Sequence, residues 1–272
     1  GTVGNASSTT NGSLTLSGVL NTTFVGNITD AINGGNRTTA LIKSGVNTLT
    51  LGNITANNTF AGQNSYTGGT ILNQGQITAQ DPLALGGANG TTPGLVTVNG
   101  GTLALNSNGG GPNGIIVYGK SAGTPNGLNL NVTGPGTINV DRVALNSGNQ
   151  IQVGNLTLTN NTLSVSGGNN YSLRVAGTTS LPGNFANVNT TTGHTQFLEL
   201  AGVISGPATL NKFGTAANAP TSFGTLRISG TANTFTGGVT INAGTISFAS
   251  GALGSAGLIT YAGTSSLQWA TG

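Results

Sequence analysis

Residues 114–121 read Gly-Ile-Ile-Val-Tyr-Gly-Lys-Ser, the spacing of a loop that would cradle phosphates with backbone amides and a lysine. That chemistry needs a glycine-rich turn opening into a helix whose N-terminus faces the anion. Here Ile115, Ile116, Val117 and Tyr118 have the composition of a strand, and Ser121-Ala-Gly-Thr-Pro-Asn-Gly127 is a poor helix start. Gly119-Lys-Ser-Ala-Gly123 also fits the Gly-x-Ser-x-Gly of a hydrolase nucleophile, and Asp141 and His194 follow in Ser, Asp, His order. In a chain with 48 Gly such matches arise from composition, and the strand-to-helix turn is again missing. His194, in Thr192-Gly-His-Thr195, reads as a loop histidine. Neither pattern predicts a nucleotide site or a serine nucleophile.

The elements that would have to position any chemistry are strands. The 272 residues include 48 Gly, 44 Thr and 35 Asn, and only 11 charges. Gly, Thr and Asn are poor helix formers. What recurs is a short alternating strand followed by Gly or Asn: Ser13-Leu-Thr-Leu16, Thr48-Leu-Thr-Leu51, Thr137-Ile-Asn-Val140, Asn155-Leu-Thr-Leu158, Ser172-Leu-Arg-Val175, Thr225-Leu-Arg-Ile228. Period-two alternation puts aliphatic side chains on one face and Thr, Asn or Ser on the other. Gly and Asn supply the left-handed backbone of tight corners. The absence of Cys excludes disulfides and thiolate metal sites. A net charge of +3 from scattered cations is no basic patch, so nucleic acid is not an expected partner. No run approaches the ~18 apolar residues of a membrane helix, so no membrane insertion by this segment is expected.

A long-range repeat is superimposed on this pattern. Asn64-Ser-Tyr-Thr-Gly-Gly69 matches Asn233-Thr-Phe-Thr-Gly-Gly238, Asn73-Gln-Gly75 matches Asn242-Ala-Gly244, and Ala84-Leu-Gly86 matches Ala252-Leu-Gly254. Upstream, Leu41-Ile-Lys43 matches Leu210-Asn-Lys212. The two units lie at about 24–106 and 197–270, within what reads as a single solenoid domain over 1–272. The expected fold is all-β, a parallel β-helix. A sandwich or barrel, using the Asn-Gly pairs as hairpin turns, is the alternative. At an assumed ~20 residues per coil and the ~4.8 Å strand spacing, the chain would make roughly 13 coils and a rod about 60 Å long.

That geometry bears on the carboxylates. Asp30, Asp81, Asp141 and Glu199 are two to three coils apart, roughly 10–15 Å along the axis, whereas glycosidase pairs stand ~5–9.5 Å apart. A shared acid–base site is not expected. Calcium, which takes about six to eight oxygen ligands, is not expected either. No catalytic residue, cofactor or metal site is predicted.

The motif Asn-x-Tyr/Phe-Thr-Gly-Gly-Thr/Val, followed by a Gly-Thr/Gln-Ile strand and Ala-Leu-Gly, resembles the autotransporter-associated β-strand repeat of bacterial surface proteins. The lead-in Ala201-Gly-Val-Ile-Ser-Gly206 followed by Leu210-Asn-Lys212 is similar too. The resemblance covers the two repeat units and implies a right-handed β-helix, extracellular or displayed on a cell surface, often in adhesion or as a stalk. The chain departs from that pattern in showing no export signal and no translocator barrel.

Within the motif, Asn64, Tyr66, Gly68, Gly69 and their counterparts Asn233, Phe235, Gly237, Gly238 are the repeat's signature positions. The matched aromatics, Tyr66 and Phe235, read as corner packing, with an aromatic binding ladder as the functional alternative. Trp269, in the last strand, covers an open end or meets a neighbour. No capping segment is evident at Gly1–Gly12 or at Ala270-Thr-Gly272, which makes Gly1, Trp269 and Gly272 candidate assembly ends. The expected function is a non-enzymatic structural rod, stalk, adhesin or filament subunit that stacks end to end. The alternative is a carbohydrate-binding module that docks surface glycans on the Thr/Asn-rich outer face.

Overall fold

The structure, a computed structural model, describes residues 2–7, 9–32, 36–54, 60–61, 63–190, 197–214, 224–254, 258–263 and 265–270. Three parallel ladders wrap one another in a right-handed β-helix. Face I has eight strands, from Gly12–Leu16 to Ile204–Ser205. Face II has ten, from Thr22–Phe24 to Ile259–Tyr261, and face III has seven, from Ile115–Val117 to Ser265–Trp269. Below face III, toward the N-terminus, the third side is closed by Thr2–Asn5 paired with Asn27–Ala31, then by irregular segments around Asn64 and Ala84. Among the described residues the one antiparallel pairing is Asn53–Ile54 with Phe60–Ala61, and the one helical turn is Ala88–Gly90. Parallel pairing throughout the ladders excludes the sandwich and hairpin-barrel alternatives. Asn89 and Asn113 of the Asn-Gly pairs do take left-handed backbone, but at corners.

The coil is longer than the strand grammar suggested. On face II, Thr23, Thr50, Thr78, Ala104, Asn139 and Ser166 stand one above another in successive coils. At a corner, Asn99 stands over Asn73, 26 residues earlier. Ten strands make nine steps, so the ladder spans about 43 Å at the ~4.8 Å spacing, and the estimates of 13 coils and 60 Å are both too large. The reason is geometric. One coil contains three strands and three corners, and neighbouring strand motifs in the sequence are neighbouring faces rather than neighbouring coils.

The core follows from the alternation. Leu49, Ile77, Leu103 and Ile138 stack in register with almost no exposure, while Thr48, Thr50 and Thr137 face outward. Each buried aliphatic side chain contributes about 1.5–3 kcal/mol. The interior is a continuous column of Leu, Ile and Val that needs no helices to cover it.

The two repeat units occupy different faces. The strand after the first motif, Thr70–Leu72, lies on face I; its counterpart Val239–Ile241 lies on face II. Likewise Gln76–Ala79 is on face II and Gly244–Phe248 on face III. Equivalent residues are therefore displaced by one face around the rod. All three faces share the same in–out alternation, so the motif fits any of them.

The paired glycines of the motif have separate duties. Gly69 and Gly238 have left-handed φ of 87° and 82°. Gly68 and Gly237 instead lie flat on the coil below, where a Cβ would run into the backbone of Thr39 and Ala208 respectively. Gly68→Ala and Gly237→Ala should each destabilise by about 1–3 kcal/mol, the usual cost of overpacking. Gly110→Ala, with nothing within 4 Å of its Cβ position, should be near neutral. Urea midpoints of the three variants would check this.

Candidate functional site

The repeat motif builds an interior device. The Asn64 side chain, fully buried, accepts a hydrogen bond from the Ile28 amide of the coil below (2.7 Å) and donates to the Ala84 carbonyl of the coil above (2.6 Å). Asn233 repeats this, accepting from the Ile204 amide (2.6 Å) and donating to the Ala252 carbonyl (2.5 Å). An amide can do both at once, since it carries an acceptor and two donors on separate atoms. Each asparagine thus pins three coils where regular ladder pairing is interrupted. Tyr66 and Phe235 are fully buried beside them, so both serve as corner packing and neither offers a surface for a ligand. Tyr66 Oη bonds Thr70 Oγ1 at 2.6 Å; where Phe235 lacks the hydroxyl, Val239 replaces the threonine.

Two interior positions had no role assigned from sequence. Lys43 and Lys212 point inward in the hydrophobic columns, in register with Leu72 and Ile241, and are fully buried. Lys43 Nζ donates to the carbonyls of Gly45 and Gln74, and Lys212 Nζ to those of Phe213 and Ala243. Burial pulls both ammonium groups below the ordinary lysine range, Lys212 to about 8. The available signal was the Leu-x-Lys match between repeats. Between the repeats a different staple appears: Asn149 accepts from the Gly114 amide and donates to the Asn108 carbonyl and to Tyr171 Oη.

The charged side chains are distributed unevenly. Asp30 accepts from the Thr39 and Thr67 amides and the Thr67 hydroxyl, Asp81 from the Leu83 amide, and Asp141 from the Arg142 amide and the Asn169 side chain. These three hold corners. Burial raises the Asp81 carboxyl above its ordinary range. Glu199 is different, because it stands among cations. On face III the register places Arg174, Glu199 and Arg227 in one outward column. Glu199 lies 3.2 Å from Arg174 Nη1 and 3.8 Å from Arg227 Nε, and accepts from Gln150 Nε2 (3.0 Å) and Ser229 Oγ (2.7 Å). The Arg227 guanidinium sits 5.8 Å over the Phe197 ring. This column floors an open groove of about 540 Å³.

The sequence patterns for nucleotide or serine chemistry are not assembled. Ile115–Val117 is a strand, no helix follows it, and Ser121 Oγ bonds Thr124. His194 lies outside the described residues. Among the described residues no group of three or more His, Cys, Asp or Glu stands together, and no helix is long and apolar enough to cross a membrane.

At the C-terminal end, Trp269 continues the inward column Leu200, Ile228, Phe248. Its ring meets Phe248 edge-on, with centroids 5.1 Å apart, and is 59% exposed because no described coil lies above it. Leu258 and Tyr261 are exposed in the same last coil, and Val19, Leu20 and Val25 in the first. Gly1 and Gly272 lie outside the described residues.

Comparison with known proteins finds no matching family model, no matching curated protein and no matching solved structure. The class is defined by the fold: a three-faced β-solenoid with parallel ladders and buried asparagines that couple coil to coil.

Proposed function

We propose that this chain is a structural rod of an extracellular or cell-surface protein of the autotransporter-associated repeat kind, acting as stalk, adhesin or filament subunit rather than as an enzyme. The observation that carries the reading is where the buried polar groups are spent. Asn64, Asn233 and Asn149 all join one coil to the next. Such devices stiffen a rod along its axis. End-to-end stacking is supported by the last described coil, where Trp269 of the core column is exposed. Ile259–Tyr261 and Ser265–Trp269 at one end, and Gly12–Leu16 and Thr22–Phe24 at the other, also have an edge without a strand partner among the described residues. A second copy stacked head to tail would pair those edges and cover that surface; such a contact is heterologous and grows into a filament. Sedimentation and electron microscopy should show rods longer than ~43 Å whose length increases with concentration, and Trp269→Glu should shorten them to single units. Monodisperse single units at high concentration would count against stacking.

The Thr/Asn-rich outer face is a weaker glycan surface than its composition implied. On face II its polar side chains bond one another, Asn139 to Ser166 and Asn211 to Asn187, and the threonine rows are broken by other residues.

A further inference from the structure

The groove on face III is not used by end-to-end stacking. We infer that it is a binding site for an acidic oligosaccharide, one that carries carboxylates on its sugar rings, with the Arg227 guanidinium as the carboxylate fork.

The charge balance comes first. Three of the chain's 11 charged residues meet in this column, two positive and one negative. The negative one is spent internally: the Glu199 side chain is 6% exposed and is surrounded by Arg174, Arg227, Gln150 and Ser229. The arginines are the partners that reach solvent, with side chains 31% and 40% exposed. The groove floor therefore presents net positive charge, and Glu199 acts as a positioning residue that holds both guanidinium groups in the column.

Arg227 is also left with donors to give. A guanidinium carries five N–H groups. Among the described residues Arg227 has a loose ion pair through Nε and a ring contact, and Nε is sealed from solvent without a hydrogen-bond partner. The guanidinium carbon stands 5.8 Å from the centre of the Phe197 ring, and its fork has the geometry to bind a carboxylate in bidentate fashion. Farther down the groove, three to four coils below Arg227, the lining carries an amide and a hydroxyl, Asn113 and Ser147. Those are partners for sugar hydroxyls, and the exposed part of Phe197 offers an apolar patch for the C–H face of a sugar ring. Arg174 and Arg227 stand two coils apart in the column, so the two cations are about 9.6 Å apart along the groove. A peptide is the poorer fit, because the backbone groups of these strands are already paired within the ladder and leave no edge for strand addition.

The test is calorimetric binding at low ionic strength with tetragalacturonate, its fully methyl-esterified counterpart, and tetraglutamate. The ester keeps the size and ring hydroxyls but removes the charge; the peptide keeps the charge but removes the sugar. Tetragalacturonate should bind, with the ester at least about 10-fold weaker, as expected for a lost charge-assisted bond, and the peptide weaker still. Arg227→Ala should weaken the uronate by about 10- to 100-fold, and Arg227→Lys by less, since it keeps charge without the fork. Melting curves would confirm that both variants fold. No binding of tetragalacturonate, equal binding of its ester, or tighter binding of tetraglutamate would each overturn the assignment. Rod length is measured separately, so failure here leaves the stacking reading standing.

Discussion

Asn64→Ala should lower the free energy of unfolding by about 2–5 kcal/mol, and Asn233→Ala by a similar amount, a large part of the ~5–15 kcal/mol that a protein usually has. The substitution strands two buried backbone groups at once, the amide of Ile28 or Ile204 and the carbonyl of Ala84 or Ala252. Each unsatisfied group costs about 1–3 kcal/mol, and the lost side-chain volume adds to it. Asn64→Asp should be no remedy. It keeps the acceptor for Ile28 but turns the donor into an anion facing a carbonyl. Asn99 is the control: it joins the Asn73 side chain of the coil below on the exposed surface, and Asn99→Ala should change stability by no more than about 0.5 kcal/mol. Urea titrations of the four variants would measure this. If Asn64→Ala matched Asn99→Ala, the staple would have no energetic role.

Raising the pH from about 8 to 10 should stabilise the protein by about 2–3 kcal/mol, the reverse of the usual alkaline trend. Burial holds the Lys212 ammonium at about 8 in the folded chain, against 10.5 in the unfolded one. Between those values the unfolded state binds a proton that the folded state does not, so stability increases with pH. Lys43 is displaced in the same direction and adds to the slope. Three buried tyrosines then reverse it. Tyr66, Tyr118 and Tyr171 are all raised above 10, so the stability they confer is complete below pH 10 and is lost as pH climbs through their folded values. Midpoints of urea unfolding between pH 7 and 11 should therefore pass through a maximum near pH 10. Lys212→Met should flatten the rising limb. A midpoint that falls steadily from pH 8 would show that Lys212 is hydrated in the folded protein.

The strands and their inward faces were legible because alternation with period two is a local property. Leu49, Ile77 and Leu103 could be assigned to a core before any coil was closed. The match of Asn64 with Asn233 was legible as well, but its meaning was not. Nothing local says that an asparagine amide faces a coil above and a coil below, since its partners are 36 residues back and 20 residues ahead. Lys43 and Lys212 were hidden for a related reason: a lysine at an inward position reads as an error in the alternation until corner carbonyls are seen within its reach.

The sequence alone determined an all-β chain of Thr-, Gly- and Asn-rich strands marked by one duplicated motif, with a parallel solenoid favoured over a sandwich or barrel, because composition and alternation are written residue by residue. Only the tertiary structure decided the length of a coil, and everything that depends on register followed from it. Arg174, Glu199 and Arg227 are each separated by one coil, a spacing without significance until the length of a turn is known. The same closure placed the second repeat one face around from the first. Strand alternation fixes which way a side chain points, but its neighbours in the next coil depend on the residues spent in three corners, and corner length is not encoded in any strand.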